Sequence, residues 1–273
     1  MAQAAQAAQA PEGEATAVDA ADALKRRYGI THRVDRWWLE PALVGGGLFA
    51  FIIYSTVSAF LGDTWHFEVG PYLSPFFEPL IRPDILPDWF SPALLILWAP
   101  LSFRTTCYYY RRAYYRSYFL SPPACAVSEP AGSYRGEGRF PLVLQNVHRF
   151  ALYAALLFVP ILWWGAFRSY EWDGEIGIGL GSVILTVNAF LLTMYTLGCH
   201  SFRHLVGGGL NSFSGTPMQR ARKRVWDAVT TANEHHRLWA WTSLIGVGMT
   251  DLYVHLVAQG VITDPNTWNT PLT

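Results

Sequence analysis

The sequence predicts an all-α integral membrane protein built as a five-helix bundle. Two observations support this fold class: five long apolar stretches, and an asymmetric distribution of basic residues around them. A helix needs about 20 apolar residues to cross the hydrocarbon core of a bilayer, and each stretch is close to this length. The stretches cover approximately residues 41–61, 91–110, 150–167, 176–199 and 238–257.

The 20 Lys and Arg residues are concentrated in alternate loops. Five precede the first stretch, seven lie between the middle of the second stretch and the start of the third, and six lie between the fourth and the fifth, 18 in all. The other two, Arg82 and Arg168, lie in loops that are otherwise acidic. Because cytoplasmic loops carry the excess of basic residues, the N-terminus is predicted to be cytoplasmic and the C-terminus to lie outside.

The composition agrees with this class. Apolar residues make up 51% of the 273 residues, and the 12 Trp and 14 Tyr suit aromatic belts at the membrane interfaces. The formal net charge is zero, which gives no support for a nucleic-acid partner. Residues 1–20 are rich in Ala and Gln and lack the apolar segment of a signal peptide, so we expect a disordered tail there.

Three further segments complete the predicted organisation. Residues 21–40 alternate charged and bulky apolar side chains, which favours an amphipathic helix lying on the membrane surface. The alternative for this segment is a plain basic flank with Trp anchors. The transmembrane domain is expected over residues 41–258, and residues 259–273 are expected to form an external tail.

The predicted topology places eight soft metal ligands at or just below the cytoplasmic surface. They are Cys107, Cys125, Cys199, His148, His200, His204, His235 and His236. Disulfides are not expected there, because the cytoplasm keeps thiols reduced. The two remaining interpretations are a metal site and inert thiols that pack as small apolar groups.

Local spacing adds detail to the metal hypothesis. His200 and His204 are four residues apart at the end of the fourth stretch, so they share one helical face and are suited to hold one metal ion. Solvated interfacial histidines are the alternative. Cys125 follows a Pro-Pro turn that can fold the loop back toward Cys107. His235 and His236 point about 100° apart on a helix, so one of them is expected to face the bundle.

Four motifs carry a resemblance to a known family. They are FRTTCYYYR at 103–111, PPAC at 122–125, CHSFRH at 199–204 and DLYV at 251–254. They look like the single-chain, five-helix membrane anchor of actinobacterial-type succinate dehydrogenases, and the resemblance runs from about residue 37 to 257. It implies a multi-pass, cytochrome b-like subunit of the bacterial plasma membrane. It also implies two partners on the cytoplasmic face: an iron-sulfur subunit, and a flavoprotein that holds the succinate-oxidising site.

In that family class the anchor carries a membrane Rieske-type 2Fe-2S cluster in place of haem. The histidine distribution agrees, because two haems need four axial histidines across both leaflets, and the outer side offers only His66 and His255. A Rieske centre needs two thiolates and two imidazoles. The expected ligands are Cys107 and Cys125 with His200 and His236, and Cys199 and His204 are held in reserve.

The resemblance also implies that electrons pass from the iron-sulfur subunit through the cluster to a quinone, either menaquinone or ubiquinone. A quinone pocket needs hydrogen-bond donors as well as apolar walls. Arg104, Tyr109 and His148 are the expected donors near the cytoplasmic interface. Asp251, with Tyr253, suggests a proton path or a second quinone pocket in the outer half, and a simple helix-end Asp is the alternative.

Two other functions stay open. One is a haem b anchor of the same superfamily, with one haem between His236 and either His200 or His204. The other is a non-redox membrane scaffold or transporter in which the Cys and His residues are incidental. The lack of internal repeats and the shortage of charges inside the spans argue against a transporter.

Overall fold

The computed structural model describes residues 31–87, 89–129, 138–140, 142–268 and 272, with the backbone alone at 61–65. The fold is mainly helical. The helices are α1 (Leu39–Trp65), α2 (Ala93–Ile96), α3 (Trp98–Thr106), α4 (Tyr108–Ser117), α5 (His148–Arg168), α6 (Leu180–Leu197), α7 (His200–Gly207), α8 (Pro217–Glu234) and α9 (His236–Ala258). A 3-10 turn over Leu142–Val147 precedes α5. Two small antiparallel hairpins pair β1 (Glu68–Val69) with β2 (Tyr72–Leu73), and β3 (Glu171–Trp172) with β4 (Glu175–Ile176).

Three segments within the described residues are long and apolar enough to cross a membrane. They are Leu39–Phe60, Leu142–Arg168 and Leu180–Leu197. Large apolar side chains such as Phe49, Ile52 and Phe150 remain exposed on these helices. An apolar surface of this kind is stable against lipid rather than water, which agrees with the predicted membrane class.

The second and fifth apolar stretches differ from the other three: the second is interrupted, and the fifth contains buried ionisable residues. The second is divided among α2, α3 and α4. Pro100 explains the break at Leu97, because proline has no N–H to donate to the carbonyl of Ile96 and its ring clashes with that carbonyl. The fifth forms the continuous helix α9, which buries Asp251 and His255 inside the bundle.

The predicted surface helix over residues 21–40 is not seen in the part that the structure describes. Residues 31–38 form bends and a turn before α1 begins, and residues 1–30 lie outside the described residues. The Thr31 hydroxyl donates to the carbonyl of Ala126 at 2.7 Å, and Arg33 donates to the carbonyl of Cys125 at 2.9 Å. These side-chain contacts fasten the segment to the loop after α4, which explains its irregular course.

The C-terminal tail packs against the end of the bundle. The Asp264 carboxyl, 2% exposed, accepts hydrogen bonds from the backbone N–H of Gly181 and the hydroxyls of Tyr72 and Tyr253 at 2.6–2.9 Å. A Cβ at Gly181 would lie 2.5 Å from the Tyr72 ring, so the close approach requires glycine. The tail therefore joins the start of α6 to the first hairpin.

Candidate functional site

Two of the three cysteines lie where a helix is interrupted. Cys107 has an extended backbone, with φ −64° and ψ 130°, and separates α3 from α4. Cys199 is similar, with φ −67° and ψ 140°, between α6 and α7. Both residues are therefore helix N-caps, and their thiols lie beside the positive end of a helix dipole. The positive end of a helix dipole attracts negatively charged groups.

Two histidines lie at comparable positions. His148 is the first residue of α5 and His236 is the first residue of α9. His148 Nε2 lies 3.1 Å from Cys199 Sγ, and His236 Nε2 lies 3.6 Å from Cys107 Sγ. We call these four residues the Cys/His core. Four helix starts thus bring two thiols and two imidazoles to one region of the bundle.

Three of the four residues of the Cys/His core are buried, and His236 is half-buried. Cys107, Cys199 and His148 are 2–4% exposed. The two thiols interact electrostatically with each other, and so do the two imidazoles. Among the described residues, however, no three His, Cys, Asp or Glu side chains are grouped tightly enough to hold a metal ion. The structure therefore shows two thiol–imidazole pairs side by side.

Aromatic rings pack against both pairs. Phe103 stacks on His148 with ring centroids 4.9 Å apart, and Tyr195 stacks on His236 at 5.1 Å. Phe103 and Tyr195 meet edge to face at 5.4 Å. The Tyr195 hydroxyl and the Nδ1 of His236 have no hydrogen-bond partner within the described part of the chain. Unpaired buried polar atoms are rare in native structures and indicate a missing group.

The hydrogen bonds of His148 fix which ring nitrogen faces Cys199. The Thr106 hydroxyl donates its hydrogen to the carbonyl of Ser102 at 2.7 Å, so it accepts from His148 Nδ1–H at 2.9 Å. Nε2 of the neutral ring then keeps its lone pair toward Cys199. Thr106, which would not itself bind a metal, thus orients the His148 imidazole so that Nε2 can act as a ligand.

Arg104 adds a positive charge beside the Cys/His core. Its guanidinium lies 4.6 Å from the centre of the Tyr195 ring. It donates to the Tyr110 hydroxyl at 2.7 Å and to Ser243 Oγ at 3.0 Å. The guanidinium also interacts electrostatically with His236, so the site contains a fixed positive charge.

A close backbone contact positions Cys199. A Cβ at Gly198 would lie 2.7 Å from the carbonyl oxygen of Met194 and 3.1 Å from that of Ala232. The Asn233 side chain donates to the Gly198 carbonyl at 2.8 Å. The end of α6 is therefore held directly against the end of α8. The contact residue Asn233 lies three residues before His236.

The remaining predicted ligands lie at the surface. Cys125 is exposed. His200 and His204 are also exposed, and they contact each other through their Nε2 atoms at 3.0 Å. His235 is exposed, and its Nδ1 donates to the carbonyl of Thr231 at 3.2 Å. These four side chains are therefore outside the Cys/His core, whereas the reserve ligand Cys199 and the expected quinone donor His148 are inside it.

A cavity of about 70 Å³ lies between α1, α4 and the start of α9. Its lining residues are Glu40, Pro41, Val44, Tyr109, Arg112, Ala113, Arg116, Ser117, Pro123 and Arg237. Of the three expected quinone donors, Tyr109 is the one that lines it. The Tyr109 hydroxyl accepts a hydrogen bond from Trp241 Nε1 at 2.6 Å and keeps its own hydrogen to donate. The buried Ser117 hydroxyl has no partner among the described residues.

A chain of aromatic rings joins this cavity to the Cys/His core. Tyr109 and Tyr110 have ring centroids 5.7 Å apart, Tyr110 and Tyr195 are 6.0 Å apart, and Tyr195 stacks on His236. Every step in the chain is an edge or stacked contact. A continuous series of ring contacts therefore links the cavity to the Cys/His core.

Comparisons with known proteins identify the family. A model of the family described as "Actinobacterial succinate dehydrogenase subunit SdhC" matches residues 39–260. A chain in the structure "Mycobacterium smegmatis Sdh1 complex in the apo form" is similar, with 42% sequence identity and a TM-score of 0.79. The match covers 88% of this chain and 94% of that chain. No curated protein matches. The matched residues include the Cys/His core and all the residues that line the cavity, and the chain belongs to the actinobacterial succinate dehydrogenase SdhC family.

Proposed function

We propose that this membrane subunit of succinate dehydrogenase passes electrons from an iron-sulfur subunit to a quinone through a 2Fe-2S cluster held in the Cys/His core. One observation carries the proposal: four helix starts bring two thiols and two imidazoles together in a largely buried region. This donor set is the one that a Rieske-type cluster takes. The unpaired polar atoms of His236 and Tyr195 support a group between the two pairs.

The proposed ligands are Cys107, Cys199, His148 and His236. Cys199 and His148 take the places that the sequence suggested for Cys125 and His200, because those two side chains are exposed. When bound, such a cluster exchanges single electrons at a potential that its imidazoles raise above that of an all-cysteine cluster. The helix N-termini and Arg104 supply positive potential at the site, which would offset the negative charge of thiolates bound to a cluster. Phe103 and Tyr195 exclude water.

The cavity beside Tyr109 is the proposed quinone site. It offers hydroxyl donors from Tyr109 and Ser117, and apolar walls from Val44, Pro41 and Ala113. Three guanidinium groups against the single carboxylate of Glu40 give the lining a positive charge. A positive site stabilises the negative charge that develops on the quinone oxygens as electrons arrive.

The partners are proposed to dock at the end of the bundle that carries the Cys/His core. That end holds most of the basic residues and is therefore cytoplasmic by the charge bias. The similar M. smegmatis chain comes from an Sdh1 complex, which supports assembly with the other succinate dehydrogenase subunits, a flavoprotein and an iron-sulfur protein. The chain is proposed to cross the bacterial plasma membrane five times, with α2 and α3 forming the second span and α9 the fifth.

Cysteine labelling tests this topology. In a Cys125→Ser background, a cysteine introduced at Val261, which is 63% exposed, is expected to react with an impermeant maleimide in intact cells. A cysteine at the exposed Arg224 on α8 is expected to react only after the cells are permeabilised. The opposite pattern, or labelling of both positions from outside, would exclude a five-span chain with a cytoplasmic N-terminus.

Metal analysis tests the ligands. Replacing Cys107 and Cys199 together by Ser removes both soft thiolate donors, so the purified complex is expected to contain about two fewer iron atoms and two fewer sulfides than wild type. Cys125→Ser is the matched control and is expected to retain the wild-type metal content. Loss of iron in the control, with full iron in the double variant, would assign the metal to the surface loop instead.

A further inference from the structure

A second group of buried polar side chains lies at the opposite end of α9 from the Cys/His core. Asp251 and His255 are 0% and 1% exposed and lie one helical turn apart. Asp251 follows His236 by 15 residues, which corresponds to about 22 Å along the helix axis. Burying an ionisable pair at membrane depth is costly, and the proposed electron path uses neither residue.

Three hydroxyls surround the Asp251 carboxyl. Tyr54 and Ser58 on α1 donate to Oδ2 at 2.6 and 2.8 Å. Ser74, in the loop after β2, donates to Oδ1. His255 Nε2 lies 3.4 Å from Oδ1. The carboxyl is thus held by α1, the first hairpin loop and α9 together.

The hydrogens in this group can be counted. A carbonyl only accepts, so the 3.2 Å contact of His255 Nδ1 with the carbonyl of His66 places a hydrogen on Nδ1. Ser58 Oγ lies 2.8 Å from Asp251 Oδ2 and 3.1 Å from His255 Nε2, and it has one hydrogen to donate. One further proton then has two places. If the proton is on His255 Nε2, the Ser58 hydroxyl donates to the Asp251 carboxylate. If the proton is on the Asp251 carboxyl, the Ser58 hydroxyl donates to His255 Nε2.

Both arrangements use the same positions of the heavy atoms, so the proton moves between them without rearrangement of the protein. We propose that Asp251, Ser58 and His255 form a proton relay that exchanges a proton with the aqueous phase at the outer end of the bundle. His66, whose carbonyl holds the His255 ring, is exposed and marks the entrance. On the inner side, Phe51 and Val247 pack in an apolar layer. The relay is therefore proposed to exchange its proton through the His66 end.

Other titratable side chains at this end of the bundle have separate roles or partners. Tyr54 on α1 is the other titratable side chain that contacts the carboxyl, and it serves as a donor. Glu78 lies at the same end of the bundle but packs against Gly165 of α5, near Arg168. In the outer tail, Asp264 is engaged by Tyr72, Tyr253 and Gly181. The proposed topology is needed only to identify the His66 end of the bundle as the outer end; the relay itself does not depend on it.

Infrared spectroscopy of the whole complex in sealed, oriented proteoliposomes tests the relay. The wild type is expected to show a carboxylic-acid C=O band that gains intensity as the pH on the His66 side falls and that shifts in deuterated buffer. Asp251→Asn is expected to lose the band. Asp264→Asn is the matched control, since it alters another buried, hydroxyl-bound carboxyl at the same end, and is expected to keep it.

Ser58→Ala separates proton transfer from folding, because it removes the bridging hydroxyl but neither titratable group. It is expected to lose the response of the band to pH. A wild-type band that Asp251→Asn leaves unchanged, or an unaltered response in Ser58→Ala, would overturn the relay. The band depends on neither cluster nor quinone. A responsive band in a complex without a 2Fe-2S cluster would support the relay and contradict the proposed function.

Discussion

Replacing His148 and His236 together by Ala is expected to reduce quinone-linked succinate oxidation of the purified complex by more than about 100-fold. Loss of a group that merely supports a metal ligand already costs about 10- to 100-fold in affinity or activity, and this variant removes two proposed ligands. Succinate oxidation with a soluble dye is expected to stay near the wild-type rate, because the flavin site is proposed to lie on another subunit. The ratio of the two rates is the measurement.

The exposed pair His200 and His204 provides the control. Their double Ala variant removes the same number of imidazoles from the same side of the bundle, but from outside the Cys/His core. It is expected to keep both activities. If this control lost quinone reduction while the His148 and His236 variant kept it, the ligands would be the surface pair that the i, i+4 spacing first suggested.

Filling the cavity is expected to abolish quinone reduction by a different route. Ala113 is 9% exposed and lines the cavity, so Ala113→Phe places a ring in the space proposed for the quinone head group. We expect quinone-linked activity to fall to background. Iron content and dye-linked activity are expected to stay at wild-type levels, because the Cys/His core is untouched.

A milder variant of the same cavity distinguishes binding from general damage. Ser117→Ala removes one hydroxyl donor, and a hydrogen bond contributes about 1 kcal/mol, so the KM for quinone is expected to rise about fivefold with kcat largely retained. Ala228→Phe on the exposed face of α8 is the control for a bulky aromatic. Full quinone activity in Ala113→Phe would place the quinone elsewhere.

The sequence allowed the apolar segments to be predicted, whereas the interruptions within them became evident only in the structure. Three apolar stretches form helices of spanning length, since their length and composition suffice. The break before Trp98 is explained by Pro100. The surface helix predicted over 21–40 is absent from its described part, residues 31–38. The side chains of Thr31 and Arg33 instead form hydrogen bonds with a loop about 95 residues away in sequence. The spacing of apolar residues along the sequence cannot predict a contact between such distant segments.

The composition of the Cys/His core was harder to predict from spacing. Cys107 and Cys199 meet the histidines because each interrupts a helix with an extended backbone, and Cys107 has no neighbouring Gly or Pro to signal this. Gly198 was the available signal for Cys199. His148 looked like a quinone donor because it stands alone in the sequence, yet its position at the first turn of α5 aims it at Cys199.

The electron paramagnetic resonance spectrum of the reduced complex tests the central claim most directly. We predict a Rieske-type 2Fe-2S signal in addition to those of the partner subunits, absent when Cys107 and Cys199 are both Ser, and no haem Soret band in the optical spectrum of the same sample. A stoichiometric b-type haem without the Rieske-type signal would contradict the account.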